Sequence, residues 1–214
     1  GADFYPRLTS FKDDKKKMRE LVNDQIEIAM LLITPCILVF YFLAPIIIRV
    51  LYTKEFLPVI FILKAALLAI IIKAIVWPLA YMILAKGKNN LYFKQELLGD
   101  FMNVSLTILL YHLWGLLGIG LAMVINYTLY GFYVLNIVQK KFEFTIRKET
   151  LSIIMKSLAM GILACVAVFL LEYPYAYIPL GVLTCISIVF SYRELDKRIG
   201  ILSYYLKFKE KFKR

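Results

Sequence analysis

Lys73, Trp77 and Tyr81 recur every four residues inside a long apolar run, a spacing that places all three on one helix face. A cation beside two aromatic rings within hydrocarbon is suited to meeting an anionic headgroup and to stacking on sugars. An ionised side chain at a helix centre costs about 2.5–3.5 kcal/mol on insertion scales. Lys73 is therefore expected to face protein or a water-filled cavity; the alternative is an ion pair with an acid from another helix. Arg49, Lys64 and Lys156 stand nearer the ends of their runs, where long side chains reach polar surroundings. Asp100, Asn103, Thr107 and Tyr111 form a second stripe, and Asn126, Tyr130 and Tyr133 a third. Such stripes join helices by hydrogen bonds or line a hydrophilic cavity. Joining is the expectation, and Asp100, Asn103, Thr107 and Asn126 are the candidate cavity-lining residues. Asp24, Gln25 and Glu27 read as a solvated helix start rather than a proton site.

Catalysis finds little support. His112 is the only histidine and stands near a run end, so no Ser-His or Cys-His pair can be assembled. Cys36, Cys165 and Cys185 all lie in apolar runs without a CxxC spacing; they read as packed thiols, and no metal or other cofactor is expected. Gly115, Gly118 and Gly120 superficially suggest a phosphate loop, but that loop follows a strand in a soluble βαβ unit. Here they join two apolar runs, where small residues permit close helix packing.

These residues need elements to hold them. Of 214 residues, 61% are hydrophobic and 19% charged, whereas a globular chain is roughly 45–50% apolar and about 25% charged. The chain requires an apolar solvent, which excludes a soluble nucleic-acid binder, a disulfide scaffold and a disordered chain. Six runs, 26–51, 57–84, 97–114, 116–138, 153–171 and 176–192, are long enough to span a bilayer, which takes about 20 residues each. They are apolar all round rather than alternating, so they are helices. The fold class is all-α, a polytopic membrane bundle of six transmembrane helices. Pro35, Pro45 and Pro78 predict broken helices around a cavity.

The charge of +11 is distributed as a topology signal rather than a nucleic-acid signal. Segment 1–25 carries six Lys and Arg, and the tail from Arg193 carries eight. The second and fourth connections hold three and four, while the other loops hold only Lys54. By the positive-inside rule both ends of this chain are cytoplasmic. Tyr52, Phe56, Trp114, Tyr173, Tyr175 and Tyr177 then fall at the outer boundary, where amphipathic rings sit. The organisation is a cytoplasmic basic loop (1–25), a six-helix region (26–192) and a cytoplasmic basic tail (193–214). Within the first, residues 11–22 are expected to be helical after a Thr9/Ser10 cap. In the tail, Ile201, Tyr205, Phe208 and Phe212 share one face of an amphipathic helix suited to anionic membrane lipids.

Residues 2–9, Ala-Asp-Phe-Tyr-Pro-Arg-Leu-Thr, resemble the cytoplasmic PRLS-type loop of Wzx-type polysaccharide flippases, members of the MOP exporter superfamily. Pro35, Ala44-Pro45-Ile46-Ile47, Leu51-Tyr52-Thr53-Lys54-Glu55-Phe56, Pro78-Leu79-Ala80-Tyr81 and Leu84-Ala85-Lys86-Gly87-Lys88 follow in order. Residues 115–122 are similar to the family's glycine-rich hairpin. The likeness covers about residues 1–140. It implies 12 to 14 helices in two lobes around a central cavity, of which this chain is the C-terminal part. The missing N-terminal portion would then be a partner. It also implies alternating-access transport of undecaprenyl-diphosphate-linked oligosaccharide across the bacterial plasma membrane, in O-antigen, capsule or exopolysaccharide synthesis. Lys73 would meet the diphosphate, and Trp77 and Tyr81 the sugars. The alternatives are a drug or cation exporter of the same superfamily, a membrane glycan polymerase or acyltransferase, or a non-transporting assembly subunit. An exporter should carry an acid near a helix centre, and none is expected, since Glu27 and Asp100 fall near cytoplasmic ends. An enzyme should carry catalytic residues in a large loop, and the loops are short.

Overall fold

The computed structural model describes residues 3–51, 59–171 and 175–199. They form α1 (Phe4–Ser10), α2 (Lys15–Leu51), α3 (Val59–Ala85), α4 (Asn89–Phe142), α5 (Lys148–Leu170) and α6 (Tyr177–Ile199). The five helices α2 to α6 are each long and apolar enough to cross a membrane. Among the described residues many large apolar side chains point outward, Phe101, Ile108, Phe132 and Leu163 among them, an arrangement that only an apolar solvent favours.

The 54 residues of α4 would extend about 80 Å if straight, at about 1.5 Å per residue, against a hydrocarbon core of about 30 Å. The helix is folded instead. Gly115 takes φ 59°, ψ −137°, a conformation that a side chain makes costly. Beyond it, Gly118 lies directly on the backbone of Leu110, so that a Cβ there would overlap the Leu110 carbonyl. Residues 89–114 and 116–142 are thus two antiparallel arms, so that the described residues offer six helical segments, in keeping with the six apolar runs. Gly118→Ala is expected to be the more damaging change at this turn, because the obstructing atoms are backbone and cannot rotate away. Overpacking costs about 1–3 kcal/mol and occasionally more, against about 1–3 kcal/mol of backbone strain for Gly115→Ala. Thermal unfolding of the purified variants in detergent measures both, and equal losses would contradict this ranking.

Apart from Lys64 and Lys73, α3 is apolar round its whole circumference and lies at the centre, with Leu67, Ile71, Leu79 and Ile83 buried, as a largely hydrophobic helix tends to be. The second arm of α4 meets it at Gly120, where a Cβ would come within 2.8 Å of Ala65 Cβ. α5 meets it at Gly161, against Ile71. Lys64 of α3 donates to the Val168 carbonyl and sits 5.2 Å from the Phe169 ring centre. It therefore ties α3 to the end of α5 rather than merely reaching outward.

Three expectations need correction. Helices α2 and α3 continue through Pro35, Pro45 and Pro78 without a break, since each proline removes one ladder hydrogen bond from long helices that neighbours support. Thr9 and Ser10 do not cap the following helix; their hydroxyls donate back to the Pro6 and Arg7 carbonyls and close α1. The cap of α2 is Asp14, which accepts the Lys17 backbone N–H at 3.0 Å. Segment 1–25 is accordingly largely helical, and the first arm of α4 begins at Asn89, well before 97. Tyr52, Phe56, Tyr173, the Arg49 side chain and the amphipathic helix expected over 201–214 lie outside the described residues.

The connection 143–147 runs back along α2. Lys15 donates to Glu143 at 2.8 Å and Arg19 to Thr145 at 3.1 Å. The Lys15 ammonium holds the Glu143 carboxyl below its ordinary range, and the Lys17 N–H does the same for Asp14. Both contributions are present above the ordinary carboxylate pKa and are lost as pH falls through the lowered values. Protection factors over 143–147, which remove the intrinsic pH dependence of amide exchange, should accordingly hold at neutral pH and fall only in acid; a fall already between neutral and mildly acidic pH would contradict it.

Candidate functional site

One helix face and two hairpin arms enclose a cavity of about 270 Å³. α3 contributes Lys73, Trp77 and Tyr81, which the fourfold spacing puts in line. The first arm of α4 contributes Tyr92, Glu96, Asp100 and Asn103, and the second contributes Asn126, Tyr127 and Tyr130. The arms can close around these side chains because Gly99 offers no Cβ where the Tyr130 ring lies; one built there would stand 2.9 Å from it. The Tyr130 hydroxyl then donates to Glu96 at 2.5 Å, locking the two arms together.

Positions along the helices order the cavity from its mouth inward. Tyr81 and Tyr92 stand nearest the α3–α4 turn, with ring centres 6.5 Å apart, and Trp77 follows Tyr81 at 4.7 Å. α1 covers this aromatic end: Phe4 lies 5.8 Å from Trp77, and Tyr5 lies 5.9 Å from Tyr81, edge to face. The segment that carried the first resemblance motif is therefore part of the cavity's surroundings. Deeper in, the Lys73 ammonium lies 5.2 Å from the Tyr127 ring centre. Lys73 is exposed and makes no salt bridge among the described residues, so the ion-pair alternative is not what the structure displays. Asn126 is 4% exposed, yet its Oδ1 has no hydrogen-bond partner. A buried amide oxygen left unmade costs about 1–3 kcal/mol; one that lines a cavity is available to a guest's donor.

Of the residues singled out in the sequence, Lys73, Trp77, Tyr81, Asp100, Asn103 and Asn126 come together here, while Thr107, one turn beyond Asn103, does not line the cavity. The stripes on the arms were expected mainly to join helices. Tyr130 does so, but Asp100, Asn103 and Asn126 face the cavity. Glu96, Tyr92 and Tyr127 were overlooked. Tyr92, Glu96 and Asp100 are spaced by four and continue the stripe, but the series begins before residue 97, where the apolar run starts. No acid was expected near a helix centre, and Asp100 was placed toward a cytoplasmic end; Glu96 and Asp100, on the part of the arm toward the α3–α4 turn, both line the cavity.

A separate charged cluster stands where α2, α5 and α6 meet. Glu27 is fully buried, contrary to the solvated helix start expected for it. Arg147 approaches it at 3.1 Å, and Arg198 and the Thr150 hydroxyl also contact it. Arg147 further pairs with Asp24, and its backbone N–H donates to the buried Asn23 side chain at 3.0 Å. These partners lie more than a hundred residues away in the chain, so position alone gave no sign that Glu27 would be enclosed.

Compared with known proteins, the chain is similar to one described family: the family model for the lipid II flippase MurJ matches residues 4–189. No curated protein and no solved structure matches it.

Proposed function

The chain belongs to the MurJ lipid II flippase family, within the MOP superfamily of lipid-linked precursor flippases, and from that premise we propose how its cavity serves translocation and what it carries. The chain is a multi-pass inner-membrane protein of a transporter family. Its substrate is a polyprenyl-diphosphate-linked glycan, moved by alternating access, and it acts as a transporter rather than an enzyme. The barrier to such movement is desolvation of a diphosphate and its sugars in hydrocarbon. A polar cavity lowers that barrier while the polyprenyl chain stays in lipid. Lys73 meets the diphosphate, and Trp77 and Tyr81 stack on sugar faces. The observation that carries this reading is the convergence of Lys73 with the Trp77–Tyr81–Tyr92 aromatic cluster in one cavity.

Two cargoes share this chemistry. The family's name points to lipid II. The ordered motifs in residues 1–140 favour an oligosaccharide unit for surface polysaccharide such as O-antigen or capsule, as in Wzx-type flippases. The basic end of the bundle, with segment 1–25 and the tail, faces the cytoplasm and its anionic leaflet.

Depleting the full-length gene product and assaying each leaflet tests this. Build-up of a diphosphate-linked glycan on the cytoplasmic leaflet, reversed by re-expression, is the expected result. Identification of the accumulated species as lipid II or as an oligosaccharide unit chooses the cargo. Normal outer-leaflet delivery of both, with glycan left unpolymerised or unmodified, would overturn transport and favour an enzyme.

A further inference from the structure

The cavity presents two carboxylates and a buried amide oxygen to a guest. Glu96 and Asp100 stand one turn apart on the first arm of α4, between the aromatic mouth and the deeper Asn103, and both line the cavity. The Tyr130 hydroxyl occupies one Glu96 oxygen at 2.5 Å and leaves the other free to accept. Asn126 adds a third acceptor, 4% exposed and with Oδ1 unpartnered. Across the cavity from that arm, α3 contributes the rings of Trp77 and Tyr81. Carboxylate and amide oxygens accept hydrogen bonds from hydroxyls, and rings cover the apolar face of a pyranose, so this pairing of walls fits a sugar with free hydroxyls. A sugar carboxylate would instead meet two like charges in a partly desolvated site, where such juxtaposition is heavily disfavoured. Among the described residues the one cation lining the cavity is Lys73, which the translocation reading commits to the diphosphate.

Resting on that reading, we infer that the cavity selects by charge: it accepts glycans that are neutral or amino-substituted next to the diphosphate and rejects those carrying a uronate there. Glu96 and Asp100 are the specificity-determining residues, and Asn126 is the fixed acceptor that orients the sugar.

The test uses the full-length protein reconstituted in liposomes with two fluorescent probes. Both are prenyl-diphosphate disaccharides, identical except that the first sugar is glucose in one and glucuronic acid in the other. The readout is the ratio of their translocation rates, which does not depend on how much of a variant is active. Wild type should move the neutral probe about 10- to 100-fold faster, since like-charge juxtaposition costs several kcal/mol and about 1.4 kcal/mol is tenfold. Glu96→Gln retains an acceptor for Tyr130, Asp100→Asn alters an exposed side chain, and each should narrow the ratio. Equal wild-type rates, or a ratio unmoved by both variants, would overturn the selection while leaving translocation intact. Movement of neither probe would overturn the translocation reading and the selection with it.

Discussion

Lys73→Ala in the full-length protein is expected to slow glycolipid translocation by about 10- to 100-fold. A hydrogen bond to a charged group is worth about 1.5–3 kcal/mol, and about 1.4 kcal/mol is tenfold. The protein should still fold. Lys73 is exposed and its visible contact is with the Tyr127 ring, an interaction worth about 0.5–1 kcal/mol at exposed sites. Lys73→Arg keeps the charge and should keep part of the activity, whereas Lys73→Gln should behave like alanine. Tyr127→Phe retains the ring and should change little. Translocation in liposomes, read beside thermal unfolding of the same preparations, separates a binding defect from a folding one. Wild-type transport by Lys73→Ala would remove Lys73 from the site.

At the second charged cluster the expected result is an asymmetry. Arg147→Ala should destabilise the protein by about 1–3 kcal/mol, the range for taking one partner from a buried polar group that keeps others. Glu27→Gln should cost clearly less. The reason is which charge stays enclosed. Without Arg147, the fully buried Glu27 carboxylate keeps Arg198 and Thr150 but loses one cation. Without the Glu27 charge, Arg147 and Arg198 retain side-chain exposures of 36% and 28% and can turn to water. Glu27→Gln combined with Arg147→Ala should therefore be more stable than Arg147→Ala alone. Unfolding in detergent measures all three, and additive losses in the double variant would contradict the account.

The membrane bundle was legible because hydrophobicity sums over long segments. Six apolar runs and one tight Trp114-Gly115 turn define six crossings whatever their partners. The α3 part of the site was legible for the same reason, since Lys73, Trp77 and Tyr81 lie on one helix and a fourfold spacing needs no tertiary knowledge. What failed depended on contacts between distant segments. Glu27 looks like any acid at the start of a helix until Arg147 and Arg198 are brought to it. Glu96 looks like a flanking charge until Tyr130 reaches across from the other arm. Thr9 and Ser10 could close one helix or open the next, and only the backbone path decides between them. The prolines misled for a physical reason: their cost is fixed, while the support that long neighbouring helices give is not visible in a local window.

The fold at Gly115 also bears on how the chain enters the membrane during synthesis. The first arm carries Lys94, Glu96, Asp100 and Asn103, and charged residues near a helix centre add about 2.5–3.5 kcal/mol each on insertion scales. Alone, that arm is a poor candidate for partitioning out of the translocon. The second arm has no charged residue between Leu116 and Gln139, and a single glycine separates the two. Neither can be left behind when the other moves laterally into lipid, so the unit of insertion is the pair. The hydrogen bond from Tyr130 to Glu96 gives the polar arm a partner within the hairpin itself, with no contribution from α5.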